Sequence, residues 1–96
     1  MRYRLLSPAS KEVADAARYY EEEVSGLGVE FLNEFRATMR RIVSHKEAWS
    51  PLAPEIRRCR MRRFPYGVIY TAVEEGIVVV SVMHLHRYPE SWRRKL

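Results

Sequence analysis

Cysteine, lysine and long apolar runs are all scarce in this chain, and each scarcity closes off a class of function. The single cysteine, Cys59, excludes an internal disulfide and any zinc site assembled from cysteines. The longest unbroken apolar run, Ile77–Val80, is far too short to span a bilayer, and no membrane partner is expected. Met1–Ser7 is a charged, strand-like stretch rather than the apolar core of a signal peptide, which makes the cytoplasm the expected compartment. No internal repeat or low-complexity segment stands out. What remains is 96 residues, 47% of them hydrophobic. That suits a single domain over residues 1–96 with a modest core, and it is too apolar a composition for disorder.

The positive charge that is present is nearly all arginine. Of 17 basic residues, 14 are arginine, the side chain that grips phosphate and carboxylate through two parallel hydrogen bonds. Residues 1–48 balance eight bases against eight acids, whereas residues 49–96 set nine bases against only Glu55, Glu74, Glu75 and Glu90. The net charge of +5 therefore arises in the second half and points to a polyanion or an acidic protein as partner. Its densest part is Arg57–Arg63, where five of seven residues are arginine. On a strand, Arg58, Arg60 and Arg62 would line one face while Cys59 and Met61 turn to the other. Adjacent like charges repel unless something anionic lies opposite. Protection of an exposed sheet edge, the alternative explanation, needs only one or two such residues.

The order of elements is legible from periodicity. Tyr3, Leu5 and Leu6 alternate with Arg2 and Arg4 as a short first strand. Ser7-Pro8 reads as a helix cap followed by proline in the first turn. Val13, Ala16, Ala17, Tyr20 and Val24 recur at helical spacing until Ser25-Gly26-Leu27-Gly28 ends that helix. A second helix from about Val29 places Phe31, Leu32, Phe35, Met39, Ile42 and Val43 on one face. Its acids (Glu30, Glu34) come first and its bases (Arg40, Arg41, Lys46) last, as the helix dipole prefers. Trp49–Pro54 reads as a proline-punctuated connection. Strands then follow at about 57–64, 67–73 and 77–85, the last two joined by the tight turn Glu74-Glu75-Gly76. The expected fold is α+β in the order β-α-α-β-β-β, with a helical hairpin on one face of a small, mainly antiparallel four-stranded twisted sheet. The apolar Ile77–Met83 is the expected central strand.

Three groups of residues have chemical potential. Arg58, Arg60 and Arg62 suit an anionic target. His84 and His86 share a strand face beside Arg87, so a proton shuttle would stand next to a cation able to stabilise a developing phosphorane. That set is what a ribonuclease using the 2′-hydroxyl as nucleophile requires; the alternative is a histidine packed at a sheet end and a surface arginine. His-x-His has no third ligand nearby in sequence, so no metal or other cofactor is expected. Of Tyr66 and Tyr70, one is expected on the helices and the other free to stack on a base. Trp92 is expected to anchor a short amphipathic tail. Glu21-Glu22-Glu23 reads as a solvated charge run.

Ser7-Pro8-Ala9, Ala16-Ala17-Arg18-Tyr19-Tyr20-Glu21, Gly26-Leu27-Gly28 and Phe31-Leu32 resemble the helical half of the RelE/ParE toxin superfamily. Arg63-Phe64-Pro65-Tyr66-Gly67-Val68-Ile69-Tyr70, Ile77–Val80 and Val82-Met83-His84-Leu85-His86-Arg87 are similar to its strand region. The resemblance runs from about residue 3 to residue 94. It implies the growth-inhibiting toxin of a type II toxin–antitoxin system, of the kind tied to plasmid stabilization, neutralised by a cognate, usually acidic antitoxin. RelE-like members cut messenger RNA on the ribosome without metal, whereas ParE-like members poison DNA gyrase. In the RelE pattern Arg60 and Arg62 take the place of two strand lysines and Arg87 that of the arginine after the last strand. Gly67 takes the place of a second catalytic arginine, and Trp92 falls at or beside that of the catalytic tyrosine. Arginine does not release its proton at useful pH and so replaces a lysine base poorly. The resemblance thus favours ParE-like inhibition of gyrase, with Arg58, Arg60, Arg62, Tyr66, Arg87 and Trp92 as target-binding candidates. The alternative is a metal-independent, ribosome-dependent endoribonuclease with His84, His86 and Arg87 as its catalytic residues.

Overall fold

The computed structural model describes residues 2–86; the expectations for Arg87, Trp92 and the tail lie outside the described residues. Strand β1 (Arg2–Leu5) leads into helices α1 (Ser7–Glu23) and α2 (Leu27–Ser44), and strands β2 (Ser50–Ala53), β3 (Ile56–Arg60), β4 (Tyr66–Val73) and β5 (Gly76–His84) follow. The strands form one sheet in the order β1-β5-β4-β3-β2. β1 runs parallel to β5, and the other pairings are antiparallel. β5, the expected central strand, lies inside the sheet between β1 and β4, but the middle place among the five belongs to β4. The α+β architecture is as expected.

The strand count is not. Ser50–Ala53 is a fifth strand at the edge, so the arginine-bearing β3 lies inside the sheet and edge protection does not explain its charge. Pro51 within it and Pro54 just after it argue against a strand here, but an edge strand tolerates proline because only one side of it must pair. Leu52 and Ala53 pay for the arrangement by packing on a second apolar cluster of Ile56, Ile69, Val80 and Met83, away from the main core. Pro54 and Glu55, the latter at φ 69°, make the turn into β3, where a positive φ at the third position fits a type II turn. β3 itself stops at Arg60 rather than near Phe64.

The helical hairpin closes through a cap between its two members. Glu21, in the last turn of α1, accepts hydrogen bonds from the backbone N–H groups of Gly26 (3.0 Å) and Gly28 (3.0 Å) at the start of α2. A carboxylate at an N-terminus satisfies donors that the helix cannot and meets the positive end of its dipole. Glu21 therefore departs from the solvated run expected of it. Ser7 departs too: it is the first helical residue rather than the cap, which is Leu6, and no side chain caps that end. Val24, expected on the apolar face, is 58% exposed.

The main core lies between the hairpin and one face of the sheet. Phe31, wholly buried, stacks on Tyr20 at 5.5 Å and meets Phe64 at 5.1 Å and Tyr66 at 5.3 Å edge-on. This cluster ties both helices to the segment between β3 and β4. On the other flank, Glu12 of α1 accepts the Val82 N–H (2.9 Å) and the Ser81 hydroxyl (3.0 Å), capping β5 beyond the end of β1. Gly76 has a φ of 150°, and a Cβ there would lie 2.0 Å from the Arg2 carbonyl oxygen, so glycine lets β1 close on β5.

Replacing Phe31 by alanine should cost about 3–5 kcal/mol, read as a lower urea midpoint, because a filled aromatic site becomes a cavity. Tyr70 is 1% exposed and its hydroxyl donates to the Lys46 carbonyl; burial pushes the phenol up to about 12. The unfolded chain loses this proton first, so the stability held by the neutral phenol is complete below about pH 10 and disappears as pH rises through about 12. Urea unfolding of the native chain and of Tyr70→Phe should show the native advantage shrinking over that window.

Candidate functional site

The arginine run does not form a single face. Arg57 and Cys59 turn toward the helices, and Arg57 Nη1 donates to the Trp49 carbonyl at 2.8 Å. Arg58 lies on the opposite face, its stem against Gly67: a Cβ on that glycine would meet Arg58 Cδ at 3.0 Å and Leu85 Cδ2 at 2.9 Å. The Arg58 Nε is buried with no hydrogen-bond partner among the described residues. Arg60 is exposed at the strand end. Arg62, expected on a strand face with Arg58 and Arg60, instead lies beyond the strand in a bend held against α2.

That bend is anchored by one buried acid. Glu34 Oε2 accepts the Arg62 backbone N–H at 2.7 Å and lies 3.9 Å from Arg41 Nη2, with 10% of the Glu34 side chain exposed. Arg41 in turn donates to the Thr38 hydroxyl and to the Arg60 carbonyl, each at 3.2 Å. Arg63 pairs with Glu30 at 2.6 Å and stands over the Phe64 ring, 5.5 Å from its centroid. α2 therefore supplies the carboxylates that shape the bend, while Arg62 keeps its guanidinium outward. Among the described residues, Arg62 and the neighbouring Arg40 of α2 have no ion-pair partner. Sequence reasoning missed Arg40 and Arg41; their signal is a position just off the apolar stripe of α2.

Cys59 is 2% exposed, and burial pushes its thiol up, against the partial opposing influence of Arg41. A protonated, enclosed thiol is a poor nucleophile, so Cys59 is a core residue, as its strand alternation predicts. Tyr66 and Tyr70 are 8% and 1% exposed, and both face the helices. Neither is free to stack on a base; Tyr66 belongs to the aromatic core because the strand puts residues 66, 68 and 70 on one face.

His84 and His86 do come together. Their rings meet edge-on at 5.8 Å, and Tyr66 lies 5.3 Å from His84. The His86 backbone N–H donates to His84 Nδ1 at 3.2 Å, so the neutral His84 imidazole carries its proton on Nε2. The pair occupies the end of β5, where β5 meets the start of β4. Among the described residues no group of three or more histidine, cysteine or acidic side chains is arranged to hold a metal ion. No helix there is long and apolar enough to cross a membrane.

A family model described as the ParE toxin of the type II toxin–antitoxin system parDE matches residues 3–88, nearly the whole sequence. The chain belongs to the ParE toxin family. A solved structure titled the chromosomal ParDE TA system from P. aeruginosa is similar to it, with a TM-score of 0.75 over 88% of this chain and 95% of that one. The identity between the two is 11%, so the likeness speaks for the fold alone. No curated protein sequence matches the chain. Membership in this toxin family implies a cognate antitoxin as partner.

Glu34→Ala should cost this ParE-family chain about 1–3 kcal/mol, because the Arg62 N–H and the Arg41 guanidinium lose their partner in a largely buried place. Glu30→Ala breaks a pair exposed on both sides and should cost about 0–1 kcal/mol. Urea unfolding separates the two, and amide exchange at Arg62 should speed up only in the Glu34 variant.

Proposed function

We propose that this ParE-family chain inhibits growth by binding DNA gyrase, with no nuclease activity, and that its cognate antitoxin relieves the inhibition. The observation that carries the reading is the packing at Gly67. The RelE-like pattern requires an arginine at this position for catalysis, and here a glycine stands with the side chains of Arg58 and Leu85 packed over it. A side chain at position 67 would have to displace the ends of both, so the present packing is arranged around the missing arginine. The arginines at positions 60 and 62 add binding capacity and no base. Arg62 also points away from the strand on which the RelE-like set would assemble.

A second reading keeps one specific support, the His84–His86 pair at the end of β5. Two adjacent imidazoles could divide the work, one protonated as general acid and the other neutral as base, although His84 as the acid would have to give up the hydrogen bond that its Nδ1 accepts from His86. In that case the chain would cut messenger RNA on the ribosome.

Adding the purified protein to gyrase and relaxed plasmid should abolish supercoiling, and adding the antitoxin should restore it. In a reconstituted translation reaction the message should stay intact by primer extension. Codon-aligned, ribosome-dependent cuts alongside normal supercoiling would overturn the gyrase reading and make His84→Gln and His86→Gln the variants expected to abolish cleavage.

A further inference from the structure

We propose that the groove between the C-terminal half of α2 and the bend after β3 binds the sugar-phosphate backbone of duplex DNA. The groove has a volume of about 310 Å³ and is lined by Ala37, Arg40, Arg41, Ser44, His45 and Arg62. Among the described residues its lining holds three arginines, a histidine and a serine, and no acid. Glu34, beside Arg41, is committed to the Arg62 N–H. Arg36, also exposed, extends the row one helical turn back from Arg40.

The chemistry of the lining discriminates among anionic partners. A protein interface needs an apolar centre to exclude water, and among the described residues Ala37 is the only apolar side chain in the lining. Single-stranded RNA is held by aromatic side chains on which bases stack, and the described lining has none. A duplex backbone asks only for cations and hydrogen-bond donors on an open surface, which Arg40, Arg62, His45 and Ser44 supply. The negative end of the α2 dipole opposes an anion here, but it amounts to about half a unit charge against the guanidinium groups of Arg40 and Arg62. The choice of DNA over a duplex of RNA rests on the gyrase reading, since gyrase presents DNA to whatever binds it. The contact would hold the toxin on the DNA-bound enzyme.

Fluorescence anisotropy with a short labelled DNA duplex, without gyrase, tests the groove directly. Log affinity should fall linearly with log salt, and Arg40→Ala/Arg62→Ala should reduce the slope by about 2, at 0.9 for each lost charge. Arg2→Ala/Arg4→Ala removes the same net charge from exposed positions on β1 and should leave the slope unchanged. Equal losses in both double variants would mean diffuse attraction and would overturn the proposal. So would a groove variant that loses antitoxin affinity while keeping its DNA binding, or one that loses binding to an RNA duplex but not to DNA. Supercoiling inhibition surviving in the groove variant with DNA binding lost would leave the gyrase reading standing and deny the contact its role. A groove that binds DNA in a protein that leaves gyrase untouched would do the reverse.

Discussion

The contact among Tyr20, Phe31, Phe64 and Tyr66 is the constraint on which the rest of this molecule depends. Two of the rings come from the helical hairpin, one from the segment that links β3 to β4 and one from the first residue of β4. Their mutual burial fixes where that segment passes. Because Phe64 is held inside, Arg62 and Arg63 on one side and Tyr66 on the other can take only a few positions. Glu34 and Glu30 then complete the path with a backbone hydrogen bond and an ion pair. The buried carboxylate carries more weight than the surface pair, since water screens the latter.

This arrangement turns a continuous run of charge into a divided one. Five arginines that look like a single electropositive strip serve four purposes. Arg57 ties β3 to the Trp49 carbonyl, Arg58 covers Gly67, Arg63 pairs with Glu30, and Arg60 and Arg62 are exposed to solvent. Arg62 acquires its neighbours, Arg40 and Arg41, from α2 rather than from the strand. The positive surface of this toxin is thus a joint product of helix and bend. The same bend separates that surface from the histidine pair at the end of β5.

Much of the fold was legible in the sequence, because it rests on local periodicity. The apolar stripe of α2 and the alternation of β4 and β5 are set by near neighbours, and the structure reproduces them within a residue or two at most ends. The ParE family match agrees with the resemblance in Ser7–Glu21 and Arg63–Arg87. The errors fall where a distant contact overrides a local signal. Ser50–Ala53 becomes a strand because Leu52 and Ala53 find an apolar cluster on the outer face of the sheet. Glu21 becomes a cap because the turn brings the start of α2 to within hydrogen-bond reach.

By itself, the sequence determined the element order apart from β2, the placement of β5 inside the sheet, the excess of arginine in the second half and the glycine at position 67. Each of these follows from residue type and spacing. Only the tertiary structure decided that Tyr66 is core, that Arg62 leaves the strand, that Arg58 and Leu85 pack over Gly67, and that Arg40 and Arg41 join Arg62. The reason is physical: which side of a bend a side chain takes depends on what is packed against it. Those partners, Phe31 and Glu34 above all, lie about thirty residues away along the chain.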